Sequence, residues 1–308
     1  MLAIFLKTLP FFALIGLGYG AAKTRFFTEE ASAYLTKFVF YFALSAMLFR
    51  FSANLSFAEI FDAWLAMAYL WGTAFVYAVG LLVAFWRRVK VETAAIEAQC
   101  AAIGNTGFLG VPMLALLLGD EAVGPIILVL SIDLIVFSSA LVILVEGSRD
   151  GRMSLGVLKT IGMGLVKNPM IVSITLGLAV AASGWTLPVP VNEFVTILGN
   201  AATPGALFAI GASLASKSAE RLFIAGWLSF AKLMLHPLFV AIAALVLFPV
   251  EPYAAAVAVS AASLPVAGNV FILAQHYGTS PQRVSASILI STAASIVTVS
   301  AWIAWVTS

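Results

Sequence analysis

Three stretches of this chain, Leu65–Phe85, Pro125–Val145 and Leu222–Phe248, are apolar almost without interruption, over the roughly 20 residues that a helix needs to cross the hydrocarbon of a bilayer. Strands of a membrane barrel alternate over about 10 residues instead, so runs of this kind fold as helices. Charged residues make up 10% of the 308 positions and apolar ones 62%, which leaves too few charges to cover a water-facing surface. The sequence therefore specifies an all-α polytopic membrane protein.

Reading hydropathy with breaks at charges, Gly and Pro gives ten transmembrane helices, at about 3–22, 31–49, 62–86, 92–118, 122–146, 168–183, 191–215, 221–248, 252–277 and 282–306. The first run has no basic n-region, with Lys7 its only early cation, and continues to Lys23 and Arg25, so it reads as a span and not as a secretion signal. Lys and Arg collect in the odd-numbered connections: Lys23 and Arg25; Arg87, Arg88 and Lys90; Arg149, Arg152, Lys159 and Lys167; Lys217 and Arg221; and Arg283. The even-numbered ones hold only Arg50, while Lys7, Lys37 and Lys232 fall within spans. By the excess of cations in cytoplasmic loops, the odd connections are expected inside and both termini outside. Lys7 and Lys37 are expected to snorkel toward a headgroup layer.

The longest connection, 147–167, joins a unit at 1–146 to one at 168–308 and carries an amphipathic stretch, Leu155–Val166, expected in the inner headgroup layer with Lys159 toward anionic lipid. Five helices per unit force the second unit into the membrane inverted, giving two inverted five-helix repeats. A shift of 159 residues sets Pro10 on Pro169, Gly18 on Gly177, Ser45 on Pro204 and Leu48-Phe49 on Leu207-Phe208.

Spans four and nine are both interrupted at mid-depth, by Ile103-Gly104-Asn105-Thr106-Gly107-Phe108-Leu109-Gly110-Val111-Pro112 and by Ser263-Leu264-Pro265-Val266-Ala267-Gly268-Asn269-Val270. Gly and Pro there release backbone groups that need other partners in hydrocarbon. Corresponding breaks in two halves point to a transport site. Kinks accommodated by neighbouring helices are the competing reading.

These segments, with Pro204-Gly205-Ala206-Leu207-Phe208-Ala209-Ile210-Gly211-Ala212-Ser213-Leu214, Lys232-Leu233-Met234-Leu235-His236-Pro237 and the run from Asn269 to Ala274, resemble the auxin efflux carrier family, in particular its bacterial malonate or malate permeases. The resemblance implies broken helices 4 and 9 that cross, a mobile transport domain of helices 3–5 and 8–10, and a scaffold of helices 1, 2, 6 and 7. It also implies a homodimer in a bacterial inner membrane, elevator-type movement and a small organic anion as substrate. Plant members have proline where this chain has Gly104, and a long hydrophilic loop where it has 147–167, so neither auxin nor loop phosphorylation carries over.

The substrate site is expected to comprise Gly104, Asn105 and Thr106 with Pro265, Val266 and Asn269. Each break exposes a half-helix N-terminus, whose free N–H groups and partial positive charge favour an anion. Asn105, Thr106 and Asn269 either donate to a carboxylate or cap the half-helices. Asp133, in mid-span five, is a candidate for H+ or Na+ coupling or else half of a structural pair with Lys232. His236 shares a helix face with Lys232 and is either a proton relay or a hydrogen-bonded structural residue, with Pro237 freeing a carbonyl for it. Glu97 is a further coupling candidate. Gly16-Leu17-Gly18-Tyr19-Gly20 permits close helix approach, and Trp64, Trp185, Trp302 and Trp305 read as interface anchors.

A single cysteine, Cys100, and two histidines, His236 and His276, leave no thiol cluster for a metal, and no HExxH, GxSxG or GxxxxGK[ST] constellation is present for an enzyme or a cofactor. Nothing calls for nucleic acid as a partner. Two alternatives stay open: a sodium-coupled organic-anion symporter of the bile-acid type, and a membrane sensor that binds its ligand without moving it.

Overall fold

The computed structural model describes residues 2–55, 61–150, 155–215 and 222–308. Arg152, Lys217 and Arg221, counted in the charge bias, lie outside them. The described residues are helical, with one isolated backbone bridge in place of any sheet. In chain order the helices are α1 (Leu2–Lys23), α2 (Glu29–Ala53), α3 (Ala63–Trp86), α4 (Val91–Ala102), α5 (Thr106–Leu118), α6 (Asp120–Ser148), α7 (Leu155–Lys167), α8 (Pro169–Ser183), α9 (Val189–Leu214), α10 (Leu222–Leu247), α11 (Pro252–Ala262), α12 (Gly268–His276) and α13 (Pro281–Val306).

Seven of these, α1, α2, α3, α6, α9, α10 and α13, are long and apolar enough to cross a membrane. The expected spans four and nine are each resolved into two short helices, α4 with α5 and α11 with α12, as the Gly and Pro breaks require. The sixth expected span is α8 alone, 15 residues long, bent by 67° from α7. Asn168 makes that corner: its side chain accepts from Met170 N at 3.0 Å, and Pro169 opens the helix without an N–H to satisfy. Large apolar side chains such as Leu17, Trp86, Ile197 and Val246 point outward, the inverse of a water-soluble surface and what lipid contact asks for.

Packing joins α1 to α9 and α2 to both α8 and α9; separately, α3 packs on α4 and α10, and α10 on α11 and α13. The first group touches at bare backbone. A Cβ on Gly18 would lie 2.1 Å from the carbonyl oxygen of Phe208, and one on Gly211 1.8 Å from that of Ile15. Gly16 and Gly20 have open space instead, so of the three glycines in the N-terminal motif only Gly18 makes the close approach.

The interruptions of spans four and nine meet. Gly104 bridges Val266 in antiparallel fashion, Asn105 N donates to Pro265 O at 2.8 Å, and Ala267 N donates to Ile103 O at 3.1 Å. Val266 N is taken by the Ser291 hydroxyl of α13 at 3.1 Å. Backbone groups released by one break are thus satisfied by the other, which is how irregular chain persists at membrane depth.

Candidate functional site

Two second half-helices, α5 and α12, start from this junction, and a helix's first-turn N–H groups have no partner within the helix. Neither start is capped by its own side chains: Asn105 precedes α5 and Ala267 precedes α12 with no side-chain hydrogen bond to the first turn. Asn105 instead lines cavities of about 60 and 250 Å³, and Asn269 lines both of these and a third of about 430 Å³. Asn269 Oδ1 is buried with no partner. Phe108 borders all three cavities and stacks on Phe40 of α2, ring centroids 5.9 Å apart, where α5 meets α2. Lys37 brings a cation to the largest cavity.

Of the six expected substrate residues, Gly104, Asn105 and Asn269 face the smallest cavity, whereas Thr106, Pro265 and Val266 are not among its lining. Pro265 and Val266 are spent on the junction itself. Thr106 is fully buried, and its hydroxyl interacts with the Asp133 carboxylate without closing a hydrogen bond.

Asp133 lines the 60 Å³ cavity from α6, at the start of a wide π-type turn, Asp133–Phe137. Its Oδ1 accepts from the Tyr69 hydroxyl of α3 at 2.9 Å, and its Oδ2 is buried without a partner. Lys232 sits in a similar turn of α10, Ala231–Leu235, fully buried. Its amine donates to Ala262 O at 2.5 Å and to His236 Nδ1 at 2.9 Å. The expected direct pair between Asp133 and Lys232 is absent among the described residues: the two interact electrostatically, and side chains that sequence reading missed lie between them. Those are Tyr69 and Thr73, one turn apart on α3, with Thr73 Oγ1 3.0 Å from His236 Nε2. A Tyr and a Thr four apart in an apolar run were the only signal available.

His236 takes no carbonyl. The one freed by Pro237 is that of Leu233, and it accepts from Trp302 Nε1 at 2.9 Å, so Trp302 is tied inward while Trp64, Trp185 and Trp305 are exposed. Glu97 stands apart from the junction group. Buried in α4, it pairs with Arg87 at the end of α3 and with Arg283 at the start of α13, an ion cluster that ties three helices together.

Among known proteins, the family model described as "Membrane transport protein" matches residues 3–303. This chain belongs to that family. It is the auxin efflux carrier family of the motifs above, and its members are transporters, not enzymes. A Rhizobium meliloti (strain 1021) member named "Putative malonate transporter" is 33% identical over 301 residues, covering 94% of this chain and 92% of its own. Family members in Escherichia coli (strain K12) and Shigella flexneri, each named "Uncharacterized transporter YfdV", are 26% identical over 312 residues, 98% of each chain.

Proposed function

We propose that this membrane transporter carries small organic anions, with a malonate-type carboxylate as the first substrate to test. One observation carries the reading. The starts of α5 and α12 converge on a cavity lined by Asn105 and Asn269, and neither side chain is spent on capping. Two helix N-termini and two amides stabilise a carboxylate without a full countercharge. The name of the Rhizobium meliloti relative supports malonate in particular.

In this reading the ten expected spans form two inverted repeats, with α4–α5 and α11–α12 as the crossing broken helices. The packing of α1, α2, α8 and α9 on one another supports a scaffold, and that of α3, α4, α6, α10, α11 and α13 supports a transport domain. Movement of the second group along the first carries the junction across the membrane in an elevator stroke. The protein works as a homodimer in a bacterial inner membrane, with both termini on the periplasmic side, as the charge bias supports.

Coupling runs through Asp133, whose unpartnered Oδ2 is the place for a proton. Sodium would draw on the same Oδ2 and the Thr106 hydroxyl, but the Lys232 charge acting on Asp133 opposes a second cation there.

Thermal stabilisation of purified protein by a panel of mono- and dicarboxylates, with sodium and pH varied, tests the site. A ligand at about 100 times its Kd stabilises by about 2.7 kcal/mol. Malonate is expected to raise the Tm, and Asn105→Ala to abolish the rise. A well-folded protein that no carboxylate stabilises would falsify the substrate class, and malonate flux into proteoliposomes separates a transporter from a sensor.

A further inference from the structure

Between Lys232 and Asp133 lies an unbroken series of buried polar groups whose hydrogen bonds run in one sense. An ammonium has protons to give and no lone pair, so His236 Nδ1 accepts from Lys232 at 2.9 Å, and the ring proton sits on Nε2. Nε2–H then donates to Thr73 Oγ1 at 3.0 Å. The Thr73 hydroxyl bonds to the Tyr69 phenol one turn earlier, and Tyr69 donates to Asp133 Oδ1 at 2.9 Å. Lys232, His236, Thr73 and Tyr69 are all buried, whereas Asp133 lines the 60 Å³ cavity at the junction.

We propose that Tyr69, Thr73 and His236 are an internal proton-transfer chain through which Lys232 and Asp133 exchange one proton, with Asp133 as its opening to the substrate cavity. The inference rests on the proton-coupled reading above and names the residues that carry it out. In the transfer a proton leaves Lys232 Nζ for His236 Nδ1, the Nε2 proton passes to Thr73, the Thr73 proton to Tyr69, and the Tyr69 proton to Asp133. Ammonium and carboxylate become amine and carboxylic acid, with no heavy-atom bond made or broken and no change in net charge. A proton that arrives at Asp133 from the cavity is thereby stored at Lys232, away from water, in a bundle whose buried charges then change in pairs.

The groups facing this chain are few. Asp133 is faced by Tyr69 from α3, the Thr106 hydroxyl from α5 and Lys232 from α10. Lys232 is faced by His236, by Asp133 and by the Ala262 carbonyl of α11. Glu97, Arg87, Arg283 and the nearby Cys100 form a separate group.

Transfer swaps the His236 tautomer, since Nδ1 gains a proton as Nε2 loses one, and this gives a readout that needs no substrate. In ¹⁵N-histidine-labelled His276→Gln protein, His236 is the one remaining histidine signal. Its ring nitrogens are expected to exchange roles across the pH range in which the Asp133 carboxyl C=O band, assigned by its loss in Asp133→Asn, appears in the infrared. Tyr69→Phe and Thr73→Val, which cut the chain and leave both ends in place, are expected to hold the starting tautomer throughout. If His236 keeps one tautomer in the parent, or swaps equally in both variants, the proposal is overturned whether or not malonate is the substrate.

Proteoliposomes loaded with malonate add the functional arm. Both variants are expected to keep malonate exchange within about three-fold while losing accumulation driven by a pH gradient at least ten-fold. Parallel loss of exchange and accumulation would make Tyr69 and Thr73 merely structural and overturn the chain. A parent protein that moves no malonate, yet swaps its His236 tautomer as described, refutes the malonate reading and leaves the chain standing.

Discussion

The amine of Lys232 donates to the carbonyl of Ala262 at 2.5 Å, so a buried cation closes the C-terminal end of α11 while its side chain lies against Gly104. The first half-helices α4 and α11 present their partially negative ends here, and the second half-helices present their positive ends to the cavity. The junction therefore separates a cation-holding side from an anion-favouring side, and a position without a Cβ stands between them.

Gly104→Ala sets a Cβ 3.2 Å from both Cε and Nζ of Lys232 and 3.4 Å from Ala261 O. Lys232 is held by two hydrogen bonds and yields only by lengthening them, so a loss of about 1–2 kcal/mol is expected. In a Lys232→Met background the same change is expected to cost less than about 0.5 kcal/mol, a non-additivity that marks direct contact. Thermal unfolding of the four proteins in detergent checks this, and strictly additive shifts refute it.

Asn269→Ala removes a buried amide oxygen that has no partner. The ligand-free protein is expected to keep its stability within about 0.5 kcal/mol. Malonate affinity is expected to fall about ten-fold or more, since a hydrogen bond to a charged group contributes about 1.5–3 kcal/mol. A large drop in ligand-free Tm with affinity intact returns Asn269 to a structural role.

Much of this was open to sequence reading because membrane physics is severe. Run length gave the continuous helices, and the Gly and Pro breaks at Gly104 and Pro265 gave the interrupted ones, since no other residues release backbone at mid-depth so reliably. Asp133, Lys232 and His236 stood out as ionisable groups in apolar runs. Which of them touch was not legible, because contact between α3, α6 and α10 depends on helix rotation. That rotation is shifted by the wide turns at Asp133 and Ala231, which leave no mark in hydropathy. Tyr69 and Thr73 were invisible for the same reason, and Glu97 read as a coupling residue until Arg87 and Arg283 were seen to close on it.

Glu97→Gln leaves two guanidinium groups without their buried carboxylate. A loss of about 3 kcal/mol is expected, at the low end for a broken buried pair because Arg87 is 24% exposed. The coupling reading predicts something different for this residue: normal stability and lost pH-driven accumulation. Unfolding and uptake measured on the same preparation separate the two.

Gly211→Ala forces a methyl to 1.8 Å from Ile15 O. Only a shift of the α1 or α9 backbone relieves that, and about 3 kcal/mol or more of destabilisation is expected. Gly16→Ala and Gly20→Ala meet nothing within 4 Å and are expected to be neutral or to stabilise by about 0.5–1 kcal/mol, as alanine does in a helix interior. Equal losses at all three positions refute a single point of approach.

Lys37 decides between one carboxylate and two. It lines the 430 Å³ cavity together with Asn269, with its amine 5.5 Å from the Tyr34 ring centroid. An acid held at the junction by one carboxylate and extended toward α2 brings a second carboxylate into the field of that cation. The side chain is exposed, so the interaction is that of charges in a wet cavity, about 1 kcal/mol at 4 Å, which is about five-fold in affinity. Lys37→Gln is therefore expected to weaken malonate about five-fold and to leave a monocarboxylate such as propionate unchanged, with Lys37→Arg close to the parent for both. The difference is expected to shrink as salt is raised from about 0.01 to 1 M, because the screening length falls from about 30 to 3 Å. Equal weakening of malonate and propionate by Lys37→Gln would place this cation on the shared carboxylate or on the path into the cavity, and the preference for two carboxylates would then have to come from elsewhere.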